Sequence, residues 1–256
     1  MSNLINKKEE KFMDRLFIII PAYNEAANIE NVVRDWYPIV NAYNGDIECK
    51  LIIVDDGSSD DTKEIVRRLA IDYPLLELLS KVNGGHGSAV LFGYRYALEN
   101  NADWIFQTDS DGQTNPDEFP KFWELHESYD AILGNRQSDR QDGQSRILVE
   151  NILRLILKII FKVNVPDANA PFRLMKSELV QKYIEKMPRD YNLPNVMFTT
   201  FFVFFKENIE FVKISFRPRQ GGVNSINLKK IVKIGWKAMG DFYNLKREFF
   251  INVNGK

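Results

Sequence analysis

Asp109-Ser110-Asp111-Gly112-Gln113 sets two carboxylates two residues apart and a neutral amide two residues further on. Hard oxygen donors at that spacing, on a turn closing a buried strand, suit Mg2+ or Mn2+. A diphosphate leaving group needs such a cation, because the metal neutralises charge on the departing oxygen. Taken singly the triplet is a weak signal, since most acidic turns are only solvated. A second acidic pair, Asp55-Asp56, runs into Gly57-Ser58-Ser59. One of its carboxylates can hydrogen-bond a nucleobase or ribose. Ser58 or Asp60 can equally cap the following helix while Gly57 permits the turn. Asn83-Gly84-Gly85-His86-Gly87 is a loop whose glycines, Gly85 among them, let backbone approach a ligand closely, although it is neither a Walker nor a G-x-G-x-x-G sequence. His86 can touch a diphosphate or a sugar, and a structural histidine is the equal alternative. His126, in the polar stretch 122–128, reads as a surface residue.

Further along, Asn135-Arg136 follows the apolar triplet Ala131-Ile132-Leu133. The polar, glycine-containing segment 137–145 has the character of an active-site lid, and Arg146 ends it. Planar guanidinium groups suit bidentate phosphate binding. Asp167 to Arg173 and Arg217 to Gly222, the latter holding Arg219, are further polar loops beside apolar segments. Cys49 is the only cysteine, which excludes an intrachain disulfide framework and a thiolate metal centre.

These residues need elements to position them. Leu16 to Ile20 and Leu51 to Val54 are short continuous apolar runs, as expected of parallel strands buried on both faces. Leu75–Leu79 and Trp104-Ile105-Phe106 supply two more. Helical patterns separate them: one from about Glu25 to Trp36, one around Ile65, Val66 and Leu69, and one from Ser88 to Leu98. Strand, loop, helix, repeated, predicts an α/β fold with a doubly wound, mostly parallel sheet. Ligands in such sheets sit at the carboxyl ends of the strands, where strand order reverses. Tyr23, Glu25, Asp55, Asp56, Asp109 and Asp111 all follow predicted strands and should meet in one crevice.

Read in order, these pieces resemble glycosyltransferase family 2. Pro21-Ala22-Tyr23-Asn24-Glu25 is similar to that family's first strand end, Val54 to Ser58 to its second, and Asp109 to Gln113 to its metal motif. The Asp-x-Asp-x-Gln spacing, Asn135-Arg136 with Arg146, Asp167 with Phe172-Arg173, and Arg219 with Gly222 to Ser225 resemble the branch of dolichyl-phosphate mannose synthases and bacterial polyprenyl-phosphate glycosyltransferases. The resemblance implies a single nucleotide-sugar-binding domain of the GT-A type and an inverting displacement on a nucleoside-diphosphate sugar. It implies that Asp109, Asp111 and Gln113 ligate Mg2+ or Mn2+. It implies that Pro21, Tyr23, Glu25, Asp55 and Asp56 contact the nucleoside, and that Arg136, Arg146 and Arg219 face the phosphates of donor and acceptor. A lipid-phosphate acceptor needs no general base, whereas a glycan hydroxyl needs one, for which Asp167 is the candidate. A nucleotidyltransferase and a non-catalytic nucleotide-sugar module are the rival readings; a dehydrogenase is disfavoured because no G-x-G-x-x-G follows the first strand.

The chain divides into a disordered lead-in (1–14), the transferase domain (15–222, with donor side 15–115 and acceptor side 116–222) and a basic amphipathic, helical C-terminal segment (223–256). A net charge of −1 gives no case for nucleic acid as partner. From Phe211 onward, however, ten Lys and Arg face only Asp241 and Glu248. Ile147 to Val163 is apolar apart from charges at 150, 154, 158 and 162, one polar stripe on a helix. Such a helix is either half-buried in the core or lies in a membrane interface. The start carries no signal-like apolar core and no 18-residue apolar run occurs, so the expectation is a cytoplasmic protein, peripheral at the cytosolic membrane face. The oligomeric state is not readable from these features.

Overall fold

The computed structural model describes residues 14–136, 144–217 and Gly240. In chain order the elements are β1 (Leu16–Ala22), α1 (Ile29–Tyr43), β2 (Lys50–Asp55), α2 (Thr62–Asp72), β3 (Leu76–Ser80), α3 (His86–Glu99) and β4 (Trp104–Gln107). A short 3-10 turn (Pro116–Glu118) leads into α4 (Phe119–Trp123), then β5 (Ala131–Asn135), α5 (Gln144–Phe161), β6 (Arg173–Lys176), α6 (Ser177–Ile184), α7 (Pro194–Phe204) and β7 (Ile209–Lys213). One sheet runs in the order β3-β2-β1-β4-β6-β5-β7. β6 pairs antiparallel with both neighbours, and every other pairing is parallel. The expected doubly wound, mostly parallel sheet is therefore present.

All seven residues of β1 are buried, which is why Leu-Phe-Ile-Ile-Ile shows no alternation: helices cover both sides. On one face Phe17, Ile19, Ile52 and Val54 pack with α3, α5, α6 and α7. On the other, Leu16, Ile18, Ile20, Leu51 and Ile53 pack with α1, α2 and α4. Order reverses at β1, flanked by β2 on one side and β4 on the other. Pro21 lies past the last β1–β4 pair, Ile19 with Gln107. By strand alternation its missing N–H points to the β4 side, where the two strands have already parted, so no ladder bond is lost there. That parting is the mouth of the crevice.

Several boundaries differ from expectation. α1 starts at Ile29, not Glu25; the chain already turns at Glu25, whose carbonyl accepts the amides of Asn28 and Ile29, and residues 26–28 form that turn. It then continues past Trp36 to Tyr43 with Pro38 inside. Burial of Trp36 and Val40 on either side outweighs the lost backbone bond. β6, α6, α7 and β7 are elements beyond those expected. Asp14, expected in the lead-in, accepts the Cys49 thiol on its backbone oxygen at 3.7 Å. His126 is not a free surface residue: its ring stacks on Trp123 at 4.4 Å between centroids, and Nε2 lies 3.4 Å from Asp14. Residues 1–13, most of the expected lid and the segment 223–256, apart from Gly240, lie outside the described residues.

Candidate functional site

The candidate site residues lie at the carboxyl ends of β1, β2 and β4, beside the point where strand order reverses. Asp55 closes β2, sits between Ala22 and Ser80 on the neighbouring strands and is buried. One carboxylate oxygen accepts the Ser58 amide at 3.1 Å. The segment 58–62 is stitched to the end of β1. Asn24 donates its amide to Ser58 Oγ (3.0 Å), Ser59 donates to Asn24 Oδ1 (2.8 Å), and the Glu25 amide donates to Thr62 Oγ1 (2.8 Å). Tyr23 is left half exposed at the rim, while the buried Glu25 carboxylate accepts from Asn28 at 2.7 Å. Tyr23 and Asp55, both expected as nucleoside contacts, lie at neighbouring strand ends, the first exposed and the second buried. Glu25, expected as a contact, sits in the wall.

Asp56 also departs from expectation. Its Oδ1 accepts the Lys81 ammonium at 2.6 Å and the Gly84 amide at 3.0 Å, and its Oδ2 accepts the Gly85 amide at 2.7 Å. With the carboxylate buried and both oxygens engaged, Asp56 holds a loop where a nucleoside contact was anticipated. The loop runs straight into α3 through Gly85, whose φ of 88° is a conformation that favours glycine. Gly87 comes so close to the segment before α7 that a Cβ there would lie 2.2 Å from the Tyr191 carbonyl oxygen. Squeezed from both sides, the loop presents His86 as the first residue of α3, with Nε2 3.8 Å from Asp109 Oδ1.

Asp109 and Asp111 lie on the turn after β4. Thr108 and Thr114 join hydroxyls across its base at 2.7 Å, Gly112 takes φ 70°, and the Gln113 amide donates to Asp111 Oδ1 at 3.1 Å. Behind the turn, the Tyr94 hydroxyl donates to Gln107 Oε1 (3.0 Å), and Gln107 Nε2 donates to Asp109 Oδ1 (3.3 Å). Burial pushes the Tyr94 hydroxyl up, so it stays protonated and keeps this relay in one direction. Gln113 is buried, and its Nε2 donates to the Arg217 carbonyl at 2.9 Å, which leaves Oε1 as the end able to ligate. Among the described residues no group of three or more His, Cys, Asp and Glu side chains is arranged to hold a metal. Two carboxylates and one amide oxygen on this turn are the kind of hard oxygen donors that Mg2+ or Mn2+ takes.

On the other side of β4, Arg136 and Asp167 form a forked pair: Nε to Oδ2 at 2.7 Å and Nη2 to Oδ1 at 2.9 Å. Asp167 is fully buried and Arg136 nearly so. Burial alone would pull the Arg136 guanidinium down, but the Asp167 pairing outweighs it and the net direction is up. The charges of Glu150 and Asp109 also favour its charged form. Phe216 lies 5.2 Å below the guanidinium. Both Asp167 oxygens are committed to Arg136, an arrangement for holding a cation rather than for taking a proton from a hydroxyl. Arg146 falls in the first turn of α5, and Arg219 lies outside the described residues.

Sequence reasoning gave no role to Arg173. It is fully buried and bonds only neutral oxygens: the Ala170 carbonyl (3.2 and 3.0 Å), the Asn195 carbonyl (3.2 Å) and Thr199 Oγ1 (3.2 Å). Burial pulls its guanidinium down, while Tyr94, Asp167 and Asp109 oppose that pull and Arg136 adds to it. An arginine inside the otherwise apolar stretch Pro-Phe-Arg-Leu-Met was the available signal.

Comparison with known proteins adds three findings. The family described as Glycosyl transferase family 2 matches residues 17–184. An undecaprenyl-phosphate 4-deoxy-4-formamido-L-arabinose transferase from Photorhabdus laumondii is 24% identical over 223 residues, covering 86% of this chain and 65% of the relative. One from Pseudomonas syringae is 26% identical over 179 residues, covering 69% and 52%. The chain therefore spans less than two thirds of those relatives' own length. Among solved structures, glucosyl-3-phosphoglycerate synthase from Mycobacterium tuberculosis, in complex with Mn2+, UDP-glucose and phosphoglyceric acid, superposes with a TM-score of 0.66 at 19% identity, covering 91% of this chain and 80% of that one. At that identity the likeness speaks for the fold.

Proposed function

The chain belongs to glycosyltransferase family 2, and from that premise we propose that it moves a sugar from a nucleoside-diphosphate donor to a lipid phosphate by one in-line displacement with inversion. The observation that carries the acceptor half of this reading is the Arg136–Asp167 fork. The carboxylate nearest the acceptor side has both oxygens committed to a guanidinium, so it is not available as the base that a hydroxyl acceptor requires. A phosphate acceptor is already an anion and needs only positioning and charge neutralisation. The undecaprenyl-phosphate sugar transferases it resembles take such an acceptor by name.

In this reading Asp109, Asp111 and the Gln113 amide oxygen hold Mg2+ or Mn2+, and His86 stands beside them at the donor diphosphate. The metal supplies charge neutralisation for the departing nucleoside diphosphate. Tyr23 and Asp55 receive the nucleoside, with Pro21 opening the crevice between β1 and β4. The α3 loop holding Gly85 approaches the phosphates, and Asp56 fixes that loop from behind. Arg136, steadied by Asp167 and Phe216, orients the acceptor phosphate, joined by Arg146 and Arg219. No described helix is long and apolar enough to cross a membrane; in this reading the enzyme meets its lipid acceptor at the membrane surface.

The test is a release assay with Mn2+, a panel of nucleotide sugars, and either a short-chain prenyl phosphate or hydroxyl acceptors such as phosphoglycerate. Nucleoside diphosphate release stimulated by the prenyl phosphate, with the product anomer inverted by NMR, is the expected result. Stimulation by a hydroxyl acceptor alone would overturn the acceptor assignment.

A further inference from the structure

Helix α5 has an apolar side that the core does not use. Its inner side is accounted for: Leu157 and Phe161 are buried in the core cluster that also holds Ala168, with Leu153, Ile156 and Ile160 packed against it. Arg154 reaches back from Nε to the Val165 carbonyl at 3.0 Å, which pins the helix to the chain leading to Asp167. Ile152, Leu155 and Ile159, spaced i, i+3 and i+7, form a second stripe and are 48%, 56% and 69% exposed. Single exposed aliphatics are ordinary on a protein surface, but an aligned row of them on one helix calls for a partner. Lys158, within α5, and Lys162, which follows the last helical residue with φ 57°, are both exposed near the C-terminal end of the stripe. The helix also adjoins the site, since the Glu150 charge acts on Arg136 and the stripe begins two residues later.

We propose that the Ile152–Leu155–Ile159 stripe of α5, with Lys158 and Lys162 beside it, docks the protein on an anionic lipid bilayer and so delivers Arg136 to the level of lipid headgroups. An aliphatic row bordered by lysines matches a bilayer interface, where apolar side chains enter the acyl boundary and cations meet anionic headgroups. The inference rests on the lipid-phosphate reading of the site for its purpose, but its test does not depend on that reading.

Flotation of the full chain with phosphatidylcholine vesicles, with and without phosphatidylglycerol, measures docking directly. The protein is expected to float with the phosphatidylglycerol vesicles. Partitioning should fall roughly tenfold or more in L155Q/I159Q, and by about tenfold, in a salt-dependent way, in K158Q/K162Q. All four side chains are exposed, so unchanged thermal melting is expected and checks that the variants fold. Absence of flotation, or flotation untouched by L155Q/I159Q, would overturn the proposal. A change of oligomeric state in L155Q/I159Q with flotation intact would do so too, by assigning the stripe to a second copy of the chain. The two readings separate in transfer assays. Stripe variants that fail only with vesicle-embedded prenyl phosphate, and keep activity on a water-soluble short-chain analogue, support both. Stripe-dependent flotation without transfer to any prenyl phosphate leaves the docking face standing and removes the acceptor assignment.

Discussion

Asp56 separates two explanations of why adjacent aspartates end a strand in this crevice. Its neighbour Asp55 lies level with the ends of β1 and β3, whereas Asp56 spends three hydrogen bonds on Lys81, Gly84 and Gly85. Bonds to a charged acceptor contribute about 1.5–3 kcal/mol each, and truncating a buried one costs the desolvation of the partners left behind. The loop they fix is the one that sets His86 against Asp109. Asp56→Asn should therefore weaken binding of a nucleoside-diphosphate sugar by about tenfold, a cost near 1.4 kcal/mol, while leaving the affinity for the bare nucleoside unchanged. Calorimetric titration of the two ligands decides the matter. An equal loss for both would return Asp56 to the nucleoside. The same scale explains why Asp167 and Arg136 were legible only as types. Their polar, loop-like surroundings marked both as site residues, but no spacing rule says that residues 31 apart will form a fork. Pairing is a property of the fold, and it sets the candidate base Asp167 against a guanidinium.

At the scale of elements, legibility followed period and length. β1, β2 and β4 announced themselves because burial on both faces erases alternation and leaves unbroken apolar runs. The acidic turns after them were found because a strand end followed by polar residues is a strong joint signal. β6 was lost because four residues, two of them Arg and Lys, carry no strand pattern. Its antiparallel pairing with β4 and β5 is dictated by the tertiary arrangement rather than by local preference. α7 was lost for the opposite reason: buried on nearly every side, it has no polar face and hence no helical period to read. The contact between α3 and β1 is tight enough to predict a mutation. A Cβ at Gly93 would lie 2.4 Å from Ile19 Cγ2, in the middle of β1, and 3.1 Å from Val54 Cγ2, near the end of β2. Overpacking of this kind costs about 1–3 kcal/mol. It outweighs the roughly 1 kcal/mol that alanine contributes over glycine inside a helix. Gly93→Ala should lower the denaturant midpoint with an unchanged slope. A raised midpoint would show that α3 can lift off the sheet without loss.

For the whole molecule, the sheet divides the interior into two apolar clusters, one against α3, α5, α6 and α7 and the other against α1, α2 and α4. The crevice opens where β1 and β4 part between them. In the proposed reading a donor bound there would touch the ends of strands that belong to both clusters at once. Its binding free energy should therefore appear as stability of the entire domain rather than of one lobe. At about 100 times the dissociation constant a ligand contributes roughly 2.7 kcal/mol, and near this size each kcal/mol moves the melting midpoint by about 2–4 °C. A nucleoside-diphosphate sugar with Mn2+ should raise the midpoint by about 5–10 °C in a single cooperative transition. The two ligands should be interdependent, because the proposed cation takes part of its coordination from phosphate oxygens and only the rest from Asp109, Asp111 and Gln113. Mn2+ alone should then shift the midpoint little, and Asp109→Ala should remove the metal-dependent part while keeping what the nucleoside contributes through Tyr23 and Asp55. A full Mn2+-dependent shift surviving in Asp109→Ala would place the cation elsewhere and detach the acidic turn from the donor. Loss of the nucleoside's own contribution in the same variant would mean instead that Asp109 shapes the crevice as a whole, through its contacts with Gln107 and His86.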